Sequence, residues 1–136
     1  MTFADWTSPS SNTVWQDGYK TLFDPCPVDW RVPKAGGSSP WQALHSEMHT
    51  FVNGTWDVTN KGARWTAPAV YGGNTWYPAS GLRANGSGKL GDYGTRGLFW
   101  AVGTGLASSY FNVAQNDTFL NSAVHAYCFP VRCVRE

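Results

Sequence analysis

Apolar residues along this chain recur in short runs broken by Gly, Pro, Ser and Asn, and one stretch carries them at helical spacing. Ser38-Ser39-Pro40-Trp41 opens that stretch. Ser39 suits the N-cap, Pro40 the first helical position, and Gln42 the reciprocal partner of a capping box. Trp41, Leu44, Met48 and Phe51 then share one face, and Asn53-Gly54 closes the helix. Elsewhere the pattern predicts short extended pieces. Lys20-Thr21-Leu22-Phe23 reads as a strand stopped by Asp24-Pro25-Cys26-Pro27, because proline cannot donate to a ladder. Trp30-Arg31-Val32-Pro33, Thr75-Trp76-Tyr77-Pro78-Ala79 and Leu98-Phe99-Trp100-Ala101-Val102 are further strands. In Tyr110-Phe111-Asn112-Val113 the alternation puts Phe111 and Val113 on one face. Tyr127 to Val134 reads as the final strand, with Pro130 at an edge or bulge. Leu82 to Gly88 reads as a turn, and the polar residues 1–14 as an N-terminal arm ahead of a domain over 15–136.

A chain of 136 residues suits one domain burying roughly two-thirds of its unfolded surface. The net charge of +1 gives no polybasic face for nucleic acid or anionic lipid. No apolar run reaches the length of a membrane span. Met1-Thr2-Phe3-Ala4-Asp5 lacks the basic and apolar regions of a signal peptide, which fits a cytoplasmic protein, a virion component or an excised domain. Cys26 and Cys133 lie near the two ends of the domain, with Cys128 the odd one. A Cys26–Cys133 bridge would close a loop of 107 residues, contributing roughly 4–5 kcal/mol in the chain-entropy model. Two neighbouring buried thiols are the alternative.

The last forty residues change the picture. From Gly97 to Val131 the only formal charge is Asp117, where the chain's own 14% charged content would place roughly five. The interval is too apolar for a solvated loop and too broken by Gly, Ser and Asn for one long strand. It reads as a contact surface framed by two strands, although an ordinary sheet core with loops has the same composition.

Catalytic chemistry finds little support. His45 and His49 stand one helical turn apart, but Glu47 follows the first by two positions rather than the one of the zinc-protease pattern, and no third ligand is evident. His125 and Cys128 are a conceivable base and thiol, yet three residues apart on an extended segment they face opposite sides. Gly86-Ser87-Gly88 lacks the lysine and the strand-then-helix setting of a phosphate loop. Carboxylates are too scattered for a calcium cage or an acid–base pair. The default is a binding protein, not an enzyme, with no metal and no cofactor.

Lys20-Thr21-Leu22-Phe23-Asp24-Pro25-Cys26-Pro27 followed by Trp30-Arg31-Val32-Pro33 resembles the signature of the Fibrobacter succinogenes major paralogous (FISUMP) domain. Tyr77-Pro78-Ala79-Ser80-Gly81-Leu82-Arg83, Gly88-Lys89-Leu90, Gly97-Leu98-Phe99-Trp100 and the ending Phe129-Pro130-Val131-Arg132-Cys133-Val134 follow in the family's order, over about residues 15–136. The family is common in gut Bacteroidetes, often at cell surfaces, and looks related to the C-type lectin-like fold. The resemblance implies an α+β domain: paired N- and C-terminal strands, one or two helices, and long irregular loops over a small twisted antiparallel sheet. It would also bring Cys26 and Cys133 together. The chain departs from the pattern at Asp29, at Ala101-Val102 where Ser-Ser is usual, at His125 where Arg is common, and at Cys128 where Gly is common. The Glu-Pro-Asn, Gln-Pro-Asp and Trp-Asn-Asp motifs of calcium-dependent lectins are missing.

Domains of this kind are also similar to the variable proteins of diversity-generating retroelements, in which template adenines are randomised. An AAC codon altered at its adenines cannot yield Lys, Glu, Gln, Met or Trp. From Leu98 to Cys128 only Trp100 and Gln115 lie outside the reachable set. The resemblance therefore implies a variable ligand-binding surface for a protein or cell-surface ligand, on a bacterial surface, outside the cell or on a phage virion, as an oligomer or within a larger protein. Its candidate positions begin with Leu98, Phe99, Ala101, Val102, Thr104 and Leu106, and continue with Tyr110 and Asn112. Phe119, Leu120, Asn121, Ala123, Val124, His125, Tyr127 and Cys128 complete the set, expected to form one exposed face. Trp100, Phe111, Val113, Phe129 and Val131 are assigned to the scaffold. A fixed surface domain of the same fold is the alternative reading, and an enzyme related in fold to formylglycine-generating enzymes a more distant one.

Overall fold

Ser39 starts the helix. In the computed structural model, which describes residues 15–16, 19–48, 54–66, 74–103 and 107–135, its hydroxyl accepts a hydrogen bond from the Trp41 N–H at 3.1 Å. Helix α1 follows over Pro40–Met48. The capping box is only half made. The Ser39 N–H donates instead to the Gly36 carbonyl at 2.9 Å, a turn in which Gly36 takes φ +93°, so Gln42 is not needed to satisfy it. Phe51 and Asn53, expected near the helix end, lie outside the described residues.

The strands are β1 (Trp30–Arg31), β2 (Gly54–Asp57), β3 (Gly62–Thr66), β4 (Asn74–Pro78), β5 (Leu82–Arg83), β6 (Leu90–Gly91), β7 (Arg96–Trp100), β8 (Ala107–Ala114), β9 (Thr118–Val124) and β10 (Val134–Arg135). They form two three-stranded sheets, β2-β3-β4 and β7-β8-β9, and two small pairs, β5-β6 and β1-β10. Every ladder between these strands is antiparallel, an isolated parallel bridge joins Lys34 to Val102, and the fold is a small α+β domain. The first and last described strands pair, and beside them Cys26 is bonded to Cys133 with their Cα atoms 5.7 Å apart.

The core forms where α1 meets both larger sheets. Trp41 and Met48 from the helix pack with Ala63 and Trp65 of β3, Tyr77 of β4, Phe99 of β7, and Phe111 and Val113 of β8. Tyr77 stands edge-on to Phe99 at 5.7 Å and to Phe111 at 6.2 Å. Such pairs add about 0.5–1.5 kcal/mol each beyond their area burial. On β3, buried Ala63 and Trp65 alternate with exposed Arg64 and Thr66, the period-two pattern of a half-covered sheet.

One predicted strand is absent and another is shortened. Lys20–Phe23 is a turn: the Asp24 N–H donates to the Thr21 carbonyl at 3.2 Å and the Phe23 N–H to the Thr21 hydroxyl at 3.3 Å. The Lys20 ammonium folds back onto Asp24 at 3.2 Å and the Trp30 carbonyl at 2.9 Å. These local bonds occupy groups that a ladder would need, and Leu22 is left fully exposed. The final strand shrinks to β10. Cys128 makes a single bridge to Arg83, and Pro130, which has no N–H, offers its carbonyl to Trp100 N–H at 3.1 Å. Conversely, β9 is a strand where sequence periodicity predicted none.

Candidate functional site

The sheet β7-β8-β9 carries most of the candidate positions, and its two faces meet different surroundings. Phe99, Phe111 and Val113 enter the aromatic core, with Leu120 packed against it. Leu98 and Trp100 point the other way and pack under Phe129, with Tyr110, Ala123 and Tyr127 around them. Strand β7 is therefore covered on both faces.

That coverage corrects part of the expected surface. Leu98, Phe99, Ala101, Val102 and Asn112 are buried, so they do not belong to an exposed face. Phe99 and Ala101 are core, and Val102 packs beside the Cys26–Cys133 bridge. Phe119, Leu120, Val124 and His125 are half-buried, while Asn121 and Cys128 are exposed. Thr104 and Leu106 lie outside the described residues. The scaffold assignment fits better: Trp100, Phe111, Val113 and Phe129 are buried, and Val131 packs against two of the apolar clusters.

What the fold does bring together is a groove of about 460 Å³. Candidate positions Tyr110, Ala123, Val124 and Tyr127 form one side, Leu98 and Phe129 lie beneath, and Leu82, Asn85, Asp92 and Arg96 form the opposite rim. Tyr110 stands edge-on to Phe129, centroids 4.9 Å apart, and Tyr127 lies tilted against the same ring at 5.7 Å. Burial pushes the Tyr110 phenol above its ordinary pKa, and the Arg96 charge offsets part of that rise.

The rim was not foreseen, because it comes from the turn that precedes the charge-poor interval and lies outside it. Gly81 makes it possible: a Cβ there would collide with the Gly91 carbonyl and the Tyr93 backbone. The turn itself closes on the Asp92 carbonyl, which accepts from the Thr95 and Arg96 N–H groups at 3.0 Å. Asp92 has φ +55°, a left-handed conformation that Asp tolerates better than most residues. Its carboxylate lies 3.6 Å from the Arg96 guanidinium. The pair Asp92 and Arg96, flanking a Gly-containing turn, was the sequence signal for this rim.

Strand β9 borders the groove at the sheet edge, and two of its amides are satisfied locally. The Thr118 N–H donates to Asp117 Oδ1 at 2.7 Å and the Ser122 N–H to Asn121 Oδ1 at 2.8 Å. Thr118 also holds α1, its hydroxyl 2.9 Å from His45 Nδ1. A second, smaller hollow of about 330 Å³ lies across Gly36, Gln42, Ser109, Leu120 and Asn121.

Asn112 is the anomaly of the sheet. It is fully buried between its cross-strand neighbours Leu98 and Phe119, and neither end of its amide has a hydrogen-bond partner among the described residues. The Trp100 indole N–H is likewise unpaired there. Among the described residues no group of three or more His, Cys, Asp or Glu could hold a metal, and no helix is long and apolar enough to cross a membrane.

No family model, no curated protein and no solved structure matches the chain.

Proposed function

We propose that this chain is a binding module of the C-type lectin-like fold, related to FISUMP domains, whose C-terminal segment carries a ligand-binding surface diversified by a retroelement. One observation carries the reading. Tyr110, Ala123, Val124 and Tyr127, drawn from two strands and the turn after them, converge on one groove over a floor of Leu98 and Phe129. Side chains held on a rigid floor lose little entropy on engaging a ligand, and aromatic anchors beside a buried apolar base are the usual hot-spot chemistry. The Cys26–Cys133 bridge supports an oxidising location such as a cell surface or virion. The role is binding a protein or cell-surface ligand, without catalysis.

Sequencing the locus tests diversification. The reading expects a nearby near-copy of the 98–128 segment differing at template adenines, together with a reverse transcriptase gene; the absence of both removes it. A fixed surface domain of the same fold is the second reading, favoured by the burial of Phe99, Ala101, Val102 and Asn112, which leaves those positions little freedom to vary. Identical residues over 98–128 in copies from one strain would support it.

A further inference from the structure

Strand β9 pairs on one side with β8 and on the other with no described strand. Antiparallel ladders alternate residues that bond to the neighbour with residues whose N–H and C=O point away. Three observations fix that alternation here. The Ala114 N–H donates to the Asp117 carbonyl at the hairpin, so Phe119, Asn121 and Ala123 turn toward β8. The Ser109 carbonyl accepts from Ala101, just after β7, which turns its cross-strand neighbour Ser122 outward. The Thr118 and Ser122 amides donate to the Asp117 and Asn121 side chains rather than to the ladder. The outward set is therefore Thr118, Leu120, Ser122 and Val124. Thr118 is buried and held to α1 through His45, which leaves Leu120, Ser122 and Val124 as the open edge. Among the described residues the outward main-chain groups of these three make only two bonds. The Ser122 N–H donates to the exposed Asn121 side chain at 2.8 Å, and the Val124 carbonyl accepts from Tyr127 at 3.2 Å.

This edge carries none of the usual protection. Thr118 to Val124 contains no charge and no proline, two devices by which natural edge strands avoid pairing. Ser122 is exposed and lines both the groove and the smaller hollow, so open space flanks the edge on both faces. The edge is also its own complement. Two copies set antiparallel about Ser122 place Ser122 against Ser122 and, on either side, Leu120 against Val124. All three outward residues are then paired, and no like charges are opposed. We infer that β9 joins a second copy of this chain by edge-to-edge pairing across a twofold axis at Ser122. The two β7-β8-β9 sheets become one continuous sheet through an isologous contact. Each outward pair exchanges two main-chain bonds, and the exposed Asn121 side chain gives up the Ser122 amide and bonds to water instead. Because the axis stands perpendicular to the sheet, the grooves of both copies open on the same face. The pairing does not depend on what the groove binds.

Sedimentation velocity tests it from about 1 μM to about 1 mM protein, with the exposed free Cys128 alkylated so that no covalent dimer forms. A reversible monomer–dimer equilibrium is expected, with a Kd above about 1 μM because an edge contact is smaller than a standard interface. Ser122→Pro removes an N–H that lies outside the β8 ladder, and Ser122→Lys opposes two like charges at the axis. Each weakens the dimer by about tenfold or more. Mixing Ser122→Lys with Ser122→Asp restores it as a heterodimer. Circular dichroism and thermal melts confirm that each variant is folded. A domain that stays monomeric to about 1 mM overturns the inference, whether or not an extended peptide of another protein adds to the edge. A dimer indifferent to both Ser122→Pro and Ser122→Lys overturns it too. If Leu22→Ser/Phe23→Ser dissociates that dimer instead, the exposed apolar residues Leu22 and Phe23 are the interface. A Lys and Asp mixture that fails to pair overturns the twofold register at Ser122.

Discussion

The indole of Trp41 lies flat against the ring of Phe111, with centroids 5.3 Å apart and planes 10° apart. This stack joins α1 to the central strand of the sheet that carries the groove, and the Trp41 indole N–H adds a bond to the Trp100 carbonyl at 3.3 Å. Trp41→Ala should therefore destabilise the domain by about 3–5 kcal/mol. Trp41→Phe, which keeps a ring on Phe111 but loses the N–H, should cost less. Denaturant unfolding of the two variants checks the order; a near-neutral Trp41→Ala would show that the helix is dispensable to the sheet.

The Cys26–Cys133 bridge closes a loop of 107 residues. Opening it in a Cys26→Ser/Cys133→Ser double variant should lower stability by roughly 4–5 kcal/mol, a large share of the 5–15 kcal/mol typical of a domain. Unfolding midpoints of the two forms measure it. Thiol titration of the unreduced wild type should find a single reactive cysteine, Cys128, which is exposed and free.

Much of this scaffold was legible in the sequence. Ser39-Pro40 announced the helix because the cap and the first-turn proline act locally, and Thr75–Ala79 announced β4 for the same reason. The faces of β7 were not legible. Leu98, Phe99 and Trp100 are all buried, so the strand shows no alternation, and a strand covered on both sides reads like any apolar run. The charge-poor composition thus mixed core positions such as Phe99 with groove positions such as Tyr127. Asp92 and Arg96 escaped notice because only the tertiary fold, through the close approach at Gly81, sets them opposite Tyr127.

Asn112 should prove costly to the fold. With both ends of its buried amide unpaired among the described residues, Asn112→Val removes an unsatisfied group and adds a residue suited to a central strand. The variant should gain about 1–2 kcal/mol, read as a rise of a few degrees in melting temperature. A loss of stability would show that the amide has a partner in solution.

Tyr77 and Tyr110 set the alkaline limit. Burial raises both phenols above the ordinary value of 10.0, with Arg132 offsetting part of the rise at Tyr77 and Arg96 part of that at Tyr110. The folded state thus favours the protonated phenols. Their contribution to stability is fully present below pH 10 and is lost as pH climbs through the raised values. Tyrosinate absorbance should show late-titrating groups that Tyr77→Phe and Tyr110→Phe each remove, with unfolding accompanying their ionisation. Both phenols titrating at the ordinary value would contradict this assignment.

The central claim is that the 98–128 segment divides into positions that hold the fold and positions that face a ligand across the groove. Saturation mutagenesis of the segment, scored by resistance to proteolysis as a readout of folding, tests it most directly. The account predicts that Ala123, Val124 and Tyr127 accept most substitutions, whereas Phe99, Ala101, Phe111 and Val113 accept almost none. If the groove positions prove as intolerant as the core positions, the groove is part of the core and the binding surface must lie elsewhere.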